Sequence, residues 1–175
     1  MLIGRPAARG FTLIELAITL AVAGVLTALG LPIFTTWINN TKIRTAAEGM
    51  LNGIQIARSE AVRQNLNVQI VFVNQSDWTV SAISGGALVP VQSRAGKEGS
   101  SNATVAIIPG GADTLTFNSL ARVTTNGDGS PSITQIQVGS AAGGADIRNM
   151  RITVGAGGNV RLCDPQVAAP DPRGC

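Results

Sequence analysis

The chain contains no histidine and no tyrosine, and aromatic residues make up only 3% of its 175 residues. Histidine is the commonest general base in enzymes, and nucleophilic sites of the Ser-His-Asp and Cys-His types require it. The two cysteines are too few to hold a metal ion without histidine ligands. None of the glycine-rich turns ends in the Lys-Ser/Thr pair of a phosphate-binding loop. The composition therefore predicts a protein that is not an enzyme and that uses no metal or other cofactor.

Charge is almost absent from the N-terminal region, where Glu15 is the only charged side chain between Arg9 and Lys42. Residues 16–38 form a run of 23 uncharged residues. A membrane core about 30 Å thick needs roughly 20 mostly apolar helical residues. An acid at the centre of such a span costs about 2.5–3.5 kcal/mol, and less near an interface. The stretch predicts a transmembrane helix with one acid at its N-terminal end.

The residues before this apolar run do not have the order of a secretory signal peptide, in which the apolar region precedes the cut and is removed. Residues 1–10 contain two arginines and little hydrophobicity, and the apolar run follows Gly10. The run is therefore expected to stay in the mature protein. Gly10 is followed by Phe11, and Glu15 is then the fifth residue after the expected cut.

The basic leader, the Gly-Phe junction and the acid at the fifth mature position resemble the processing site of type IV prepilins and type II secretion pseudopilins. The resemblance covers about the first 55 residues. It implies that a prepilin peptidase cuts between Gly10 and Phe11 and that Phe11 is then N-methylated. It also implies that Glu15 pairs with the N-terminal ammonium of a neighbouring subunit, which could select the register of subunits because an unpaired buried charge is strongly unfavourable.

The helix is predicted to continue as an amphipathic segment to about Gln64, because apolar residues recur at the 3–4-residue spacing of one helix face. The residues on this face are Ile43, Ala47, Met50, Ile54, Ala57 and Ala61. The sequence Asn65-Leu66-Asn67 indicates the end of the helix, since asparagine tolerates the left-handed conformation of a C-terminal cap.

From residue 68 the hydrophobic period is two, which predicts a hairpin around residues 74–77 and then a series of short strands. These strands are expected at 88–91, 103–108, 114–118, 121–125, 133–138, 147–154 and 159–163. The predicted fold class is α+β and pilin-like, with one long N-terminal helix packed on an antiparallel β-rich domain. The expected division is a cleaved leader at 1–10, a transmembrane half-helix at 11–40 and a globular domain at 41–175.

Cys163 and Cys175 have 11 residues between them. In an oxidising periplasm, where the leader would place the domain, such a pair is expected to form a disulfide, and two free thiols are the alternative.

Asp164 and Asp171 are a candidate carboxylate pair, but they flank prolines in an apparent surface loop. Solvated turn acids are therefore the favoured interpretation.

The net charge of +3 gives little support to nucleic-acid binding. The two arginines of the leader would be lost on cleavage, which leaves 11 of the 13 basic side chains against 10 acidic ones.

Residues 126–130, Asn-Gly-Asp-Gly-Ser, place oxygens at alternate positions, as a calcium loop does. They lack the closing bidentate glutamate, and Asn-Gly and Asp-Gly are ordinary hairpin turns.

Two arginines, Arg151 and Arg161, lie on the predicted final hairpin. Matching apolar faces across the turn at 155–158 sets Ile152 opposite Val160 and, two residues away, Met150 opposite Leu162. This register puts Arg151 directly opposite Arg161. Like charges that face each other across a strand pair destabilise the sheet unless an anion or an acid bridges them.

Two interpretations of these arginines stay open. In the first, solvent or an acid such as Asp146 or Asp164 screens them. In the second they bind phosphates together with Arg148 and Arg173. This interpretation comes from the resemblance, since DNA-binding members of the family carry Gly-Arg-x-Arg at this strand. Here Asn159 replaces the first of those arginines.

The helical run at 53–61 and the sequence at 158–164 resemble the minor pilins of the H-pseudopilin family, and residues 171–175 resemble its pilus-assembly branch. The resemblance implies a minor pilin that helps to initiate or cap a type IV pilus. Pseudopilin H of a type II secretion system and a DNA-binding minor pilin for DNA uptake stay open as alternatives. The implied partners are other minor and major pilins or pseudopilins, prepilin peptidase, the inner membrane and, in the last case, DNA. The implied location is single-pass in the inner membrane with a periplasmic domain, and the pilus or pseudopilus after assembly.

Overall fold

The computed structural model describes residues 10–73, 76–96, 103–168 and 170–175, with the backbone alone at Pro32. The expected leader therefore lies outside the described residues except for Gly10, as do two residues of the predicted turn at 74–77. The chain divides into two compact units, Met1–Trp37 and Ile38–Cys175. Each unit is described separately below.

A single helix, α1, runs from Leu13 to Gln64. A capping box begins it, in which the Thr12 N–H donates to Glu15 Oε2 at 3.0 Å and the Glu15 N–H donates to Thr12 Oγ1 at 3.3 Å. At the other end Asn65 has a φ of 54°, the left-handed conformation of a C-terminal cap. The predicted end of the helix at Asn65 is thus confirmed.

The N-terminal unit consists of the apolar part of α1. Every described side chain from Leu13 to Thr35 is exposed, including Leu29 at 67% and Ile33 at 74%. Within the described residues, α1 is long and apolar enough to cross a membrane. A surface this apolar needs a lipid or protein environment to cover it.

In the second unit, α1 buries the face that the sequence predicts. The six apolar residues named for that face are all completely buried. Small residues let the sheet approach closely. The Trp78 Nε1–H donates to the Gly49 carbonyl at 3.1 Å, and a Cβ at Gly53 would lie 2.7 Å from the Trp78 ring.

Replacing Gly53 with valine should therefore lower the free energy of unfolding by about 1–3 kcal/mol, because a packed, rigid indole leaves no room for added methyl groups. Thermal unfolding of the full chain in detergent micelles, followed by circular dichroism, measures the effect. Asn52→Val, at the adjacent exposed position, is the matched control and should change stability by only a few tenths of a kcal/mol. Equal melting temperatures for the two variants would contradict this packing.

The strands of the second unit form two antiparallel sheets. The first sheet has the order β3-β2-β1-β5-β6 and the second the order β4-β7-β8-β9. The strands are β1 Asn67–Val73, β2 Asp77–Ser84, β3 Ala87–Arg94, β4 Ala103–Ile108, β5 Thr114–Phe117, β6 Val123–Thr124, β7 Gln135–Ser140, β8 Met150–Val154 and β9 Val160–Cys163. One helix on two antiparallel sheets confirms the predicted α+β, pilin-like class.

Most strands lie where the hydrophobic period predicts them, and their inward residues form one core with α1. Four strands differ from the prediction by two or more residues. β3 extends to Arg94, three residues beyond its predicted end. β6 is reduced to two residues because Ala121 adopts a left-handed φ of 60° in the turn before it. β7 begins two residues later than expected and β8 three residues later. The apolar residues at the two predicted starts, Ile133 and Ile147, are buried but lie outside the strands.

The predicted register of the final hairpin is wrong by two residues. Ile152 pairs with Leu162 rather than with Val160, and Arg151 pairs with Cys163. Arg161 lies opposite Thr153. The two arginines still share one face of the sheet, but as diagonal neighbours, whose Cα atoms are typically about 7–8 Å apart.

The turn explains the difference. The Gly155 N–H donates to the Asn159 carbonyl at 2.9 Å, so residues 156–158 form a three-residue loop. Gly158 has a φ of 82°, which suits the closing position of such a loop. Apolar matching alone cannot find this position, because a shift of two residues keeps every side chain on the same face.

Candidate assembly site

The N-terminal end of α1 exposes the residues that the sequence assigns to processing and assembly. Gly10 and Phe11 precede the helix, and Phe11 is 87% exposed. Both the N–H and the hydroxyl of Thr12 donate to Glu15 Oε2, at 3.0 and 2.9 Å. Glu15 Oε1 accepts no hydrogen bond from the described part of the chain. The carboxylate is thus held in place while one oxygen stays available to an external donor.

The C-terminal segment is closed by a disulfide between Cys163 and Cys175, in agreement with the prediction. Arg161 fastens the segment to β9, because its Nη2 donates to the carbonyls of Pro172 at 3.1 Å and Gly174 at 2.7 Å. The Asp164 N–H donates to the Arg173 carbonyl at 2.8 Å. The last residues are therefore held by covalent and polar contacts.

Replacing both cysteines with serine should lower the free energy of unfolding by about 2–4 kcal/mol, because the disulfide closes a loop with a sequence separation of 12 residues. Thermal unfolding of the wild type and the double variant, each with and without dithiothreitol, measures the change. The reductant should affect only the wild type. Two alkylatable thiols in non-reduced wild-type protein would contradict the disulfide.

Three of the four arginines proposed to grip phosphates have partners within the chain. Arg148 lies 3.6 Å from Asp164 and Arg173 lies 2.7 Å from Asp171, while Arg161 binds the carbonyls described above. Hydrogen bonds from the side chain and then the backbone of Arg173 lower the pKa of Asp171 to about 2, so this carboxylate stays ionised at neutral and mildly acidic pH. Asp164, one of the two acids expected to screen Arg151 and Arg161, thus lies beside Arg148 instead. Arg151 is different, and its surroundings are described below.

The loop at 126–130 uses its polar groups internally. The Asn126 side chain is buried, accepts a hydrogen bond from Thr116 Oγ1 at 2.9 Å and donates to the Thr114 and Ser130 carbonyls, each at 3.1 Å. Asp128 accepts hydrogen bonds from the N–H and hydroxyl of Ser130, which lower its pKa. The described residues contain no group of three or more acidic or cysteine side chains arranged to hold a metal ion.

Asn40 joins α1 to a distant loop, a role that sequence reasoning missed. Its Nδ2 donates to the Asp146 carbonyl at 3.0 Å, and its Oδ1 accepts from the Arg148 N–H at 2.8 Å. The only sequence feature that could have indicated this role is that Asn40 is a polar residue at the end of the apolar run. Asn40 thus orients Arg148, which in turn contacts Asp164 beside the disulfide.

Two family models match this chain, one over its N-terminal region and one over most of the remainder. The family model for the type II transport protein GspH matches residues 46–158, which is more than half of the chain. The chain belongs to the GspH family. The prokaryotic N-terminal methylation motif matches residues 5–31 of this GspH-family chain. The motif implies processing by a peptidase, and pilins and pseudopilins of this kind are structural subunits that assemble with other pilins.

Solved structures of such subunits share the fold. The type IV minor pilin FimU of Pseudomonas aeruginosa is 19% identical with a TM-score of 0.53, and the match covers 71% of this chain and 92% of FimU. The minor pseudopilin EpsH from the type 2 secretion system of Vibrio cholerae is 14% identical with a TM-score of 0.51, covering 72% and 99%. GspH of Escherichia coli is 15% identical with a TM-score of 0.51, covering 76% and 95%. A search of curated protein sequences finds no significant match.

Proposed function

We propose that this GspH-family chain is a minor pilin that helps to initiate or cap a type IV pilus. The observation that carries the proposal is the exposed apolar surface of α1 over residues 13–35, interrupted by one acid, Glu15. Lipid covers this surface before assembly, and the helices of neighbouring subunits cover it in a filament core. The protein then acts through assembly, with no catalytic step.

The proposal includes the division of the chain and its location. Residues 1–10 are the leader, and prepilin peptidase cuts between Gly10 and Phe11. Residues 11–40 span the inner membrane once, and residues 41–175 form the periplasmic domain, where the disulfide is stable. Glu15 pairs with the N-terminal ammonium of the adjacent subunit after the chain enters the pilus.

The choice of a pilus rests on the C-terminal segment. Residues 171–175 resemble the pilus-assembly branch of the family, and the disulfide presents this segment as a fixed surface suited to lateral or tip contacts. Pseudopilin H of a type II secretion system is the second candidate, favoured by the description of the matching family. DNA uptake has less support, because three of its four proposed arginines have partners within the chain.

Deletion of the gene in its native host separates the candidates. A minor pilin should co-purify with pili sheared from the cell surface, and its deletion should reduce surface piliation without affecting secreted enzymes. Complementation with the wild-type gene is the control. Loss of enzyme secretion with normal piliation would instead assign the chain to a secretion pseudopilus.

A further inference from the structure

A groove of about 450 Å³ lies on the second sheet, against strands β4, β7 and β8. Its polar lining comes mainly from the side chains that alternate with the buried core residues of these strands. The lining includes Thr104, Gln137, Asn149 and Arg151, and Pro165 of the C-terminal segment borders it. The groove therefore lies on the solvent side of the sheet and beside the disulfide-closed segment.

Arg151 is the charged residue among those that line this groove, and none of its side-chain hydrogen bonds or ion pairs involves a described residue. Its side chain is half-buried, and its Nε is fully buried without a hydrogen bond to any described residue. No acid belongs to the lining of the groove as described. A charged group with an unpaired buried donor is costly in free energy. Nε itself is closed to solvent, so an incoming anion would meet the accessible remainder of this half-buried side chain and compensate the charge that the guanidinium shares.

The groove also has neutral hydrogen-bonding groups, two of which lie close around Gly139. Gly139, opposite Thr104 on β4, has no side chain to fill the space between two polar groups. A Cβ there would lie 3.0 Å from Asn149 Oδ1 and 3.3 Å from Thr104 Oγ1. The amide and hydroxyl groups of Thr104, Gln137 and Asn149 are able to donate hydrogen bonds to oxygens beside the guanidinium.

We propose that this groove receives the carboxylate of an acidic side chain from an adjacent filament subunit, with Arg151 as its ion-pair partner. The proposal rests on the filament function proposed above. Guanidinium groups recognise carboxylates through paired N–H donors, and partial burial strengthens such a bond.

The charges favour a carboxylate over a nucleic acid. DNA binding needs several cations that follow successive phosphates along the backbone. The groove offers one cation, and Arg148, Arg161 and Arg173 are engaged with their own partners. A single enclosed guanidinium with neutral donors around it fits one carboxylate.

Full-length protein labelled uniformly with a nitrogen isotope, in detergent micelles, allows a direct test by NMR at low salt. The Arg151 Nε–H resonance should shift on titration with N-acetyl-glutamate methylamide and should not shift with the glutamine analogue. Inorganic phosphate and a short DNA duplex are titrated in parallel. Shifts caused by phosphate or the duplex, but not by the glutamate probe, would overturn the carboxylate assignment, and so would the absence of any shift.

Two variants and one control test the geometry. Gly139→Val keeps Arg151 but fills the groove, and Arg151→Met removes the guanidinium but keeps an apolar stem. Each variant should weaken binding of the glutamate probe at least tenfold. For Arg151→Met, binding is measured from the amide resonances of the residues that line the groove. Arg122→Gln removes an exposed charge outside the groove lining and should leave binding unchanged. Melting temperatures establish that each variant is folded. Unchanged binding in both groove variants would overturn the site.

This titration needs no filament, so its failure leaves the proposed function intact, and that function is tested by co-purification with pili. If both proposals hold, Arg151→Met should lower the amount of the chain in sheared pili while its level in the membrane stays normal. A normal level in pili would overturn the role of the groove in assembly.

Discussion

Glu15→Val should keep the chain in the membrane and remove it from filaments. The substitution removes a charge that is costly in the apolar span, so insertion is unchanged or improved. In the proposed filament it also leaves the ammonium of the adjacent subunit buried and unpaired. Breaking a buried ion pair costs about 3–5 kcal/mol, which corresponds to a loss of more than tenfold in incorporation. Immunoblots of sheared filaments and of membranes from the native host measure how much of the chain is in each.

Glu48→Val is the matched control, because Glu48 is an exposed acid on the same helix, paired with Arg44 at 2.7 Å. Exposed pairs of this spacing contribute only about 0.3–0.5 kcal/mol, so this variant should enter filaments normally. Glu15→Gln separates charge from size and should behave like Glu15→Val. Normal co-purification of the Glu15 variants with filaments would contradict the pairing.

Gly10→Val should leave the precursor uncut and unassembled. Gly10 and Phe11 lie outside the hydrogen-bonded helix, so the bond between them is accessible to a peptidase. A Cβ at Gly10 meets no atom of the described residues within 4 Å, so the substitution should not disturb their fold and its effect reports on the peptidase. Intact-mass analysis of protein from the native host should show loss of residues 1–10 and methylation of Phe11 in the wild type but not in Gly10→Val.

Gly24→Val is the control for this experiment. It adds the same side chain at another exposed glycine, where a Cβ also meets nothing within 4 Å, and it should be cut normally. Retention of the leader by the wild type, in cells with an active prepilin peptidase, would contradict the processing site.

The features that depend on local pattern could be predicted from the sequence. The buried face of α1 follows from residues three and four apart, and the end of the helix follows from the backbone preference of Asn65. The features that depend on distant contacts could not be predicted from the sequence. The register of β8 and β9 depends on the backbone of Gly158, and the partners of Arg161 are carbonyls brought near it by the disulfide. Arg151 likewise becomes distinctive only when the fold places it in a groove without an acid.

The two hydrogen bonds of Asn40 have a mechanical consequence for a subunit whose helix is pulled. Along the chain, a load on α1 reaches the sheets only after the end of the helix at Gln64. Core packing and the Trp78–Gly49 hydrogen bond hold the middle of the packed helix, and the bonds from Asn40 to the loop at 146–148 add a polar attachment near its other end. Arg148 extends this attachment to Asp164, one residue from the disulfide. The domain is therefore anchored at both ends of its helix, so a stretching force is divided between them and is not borne by β1 alone.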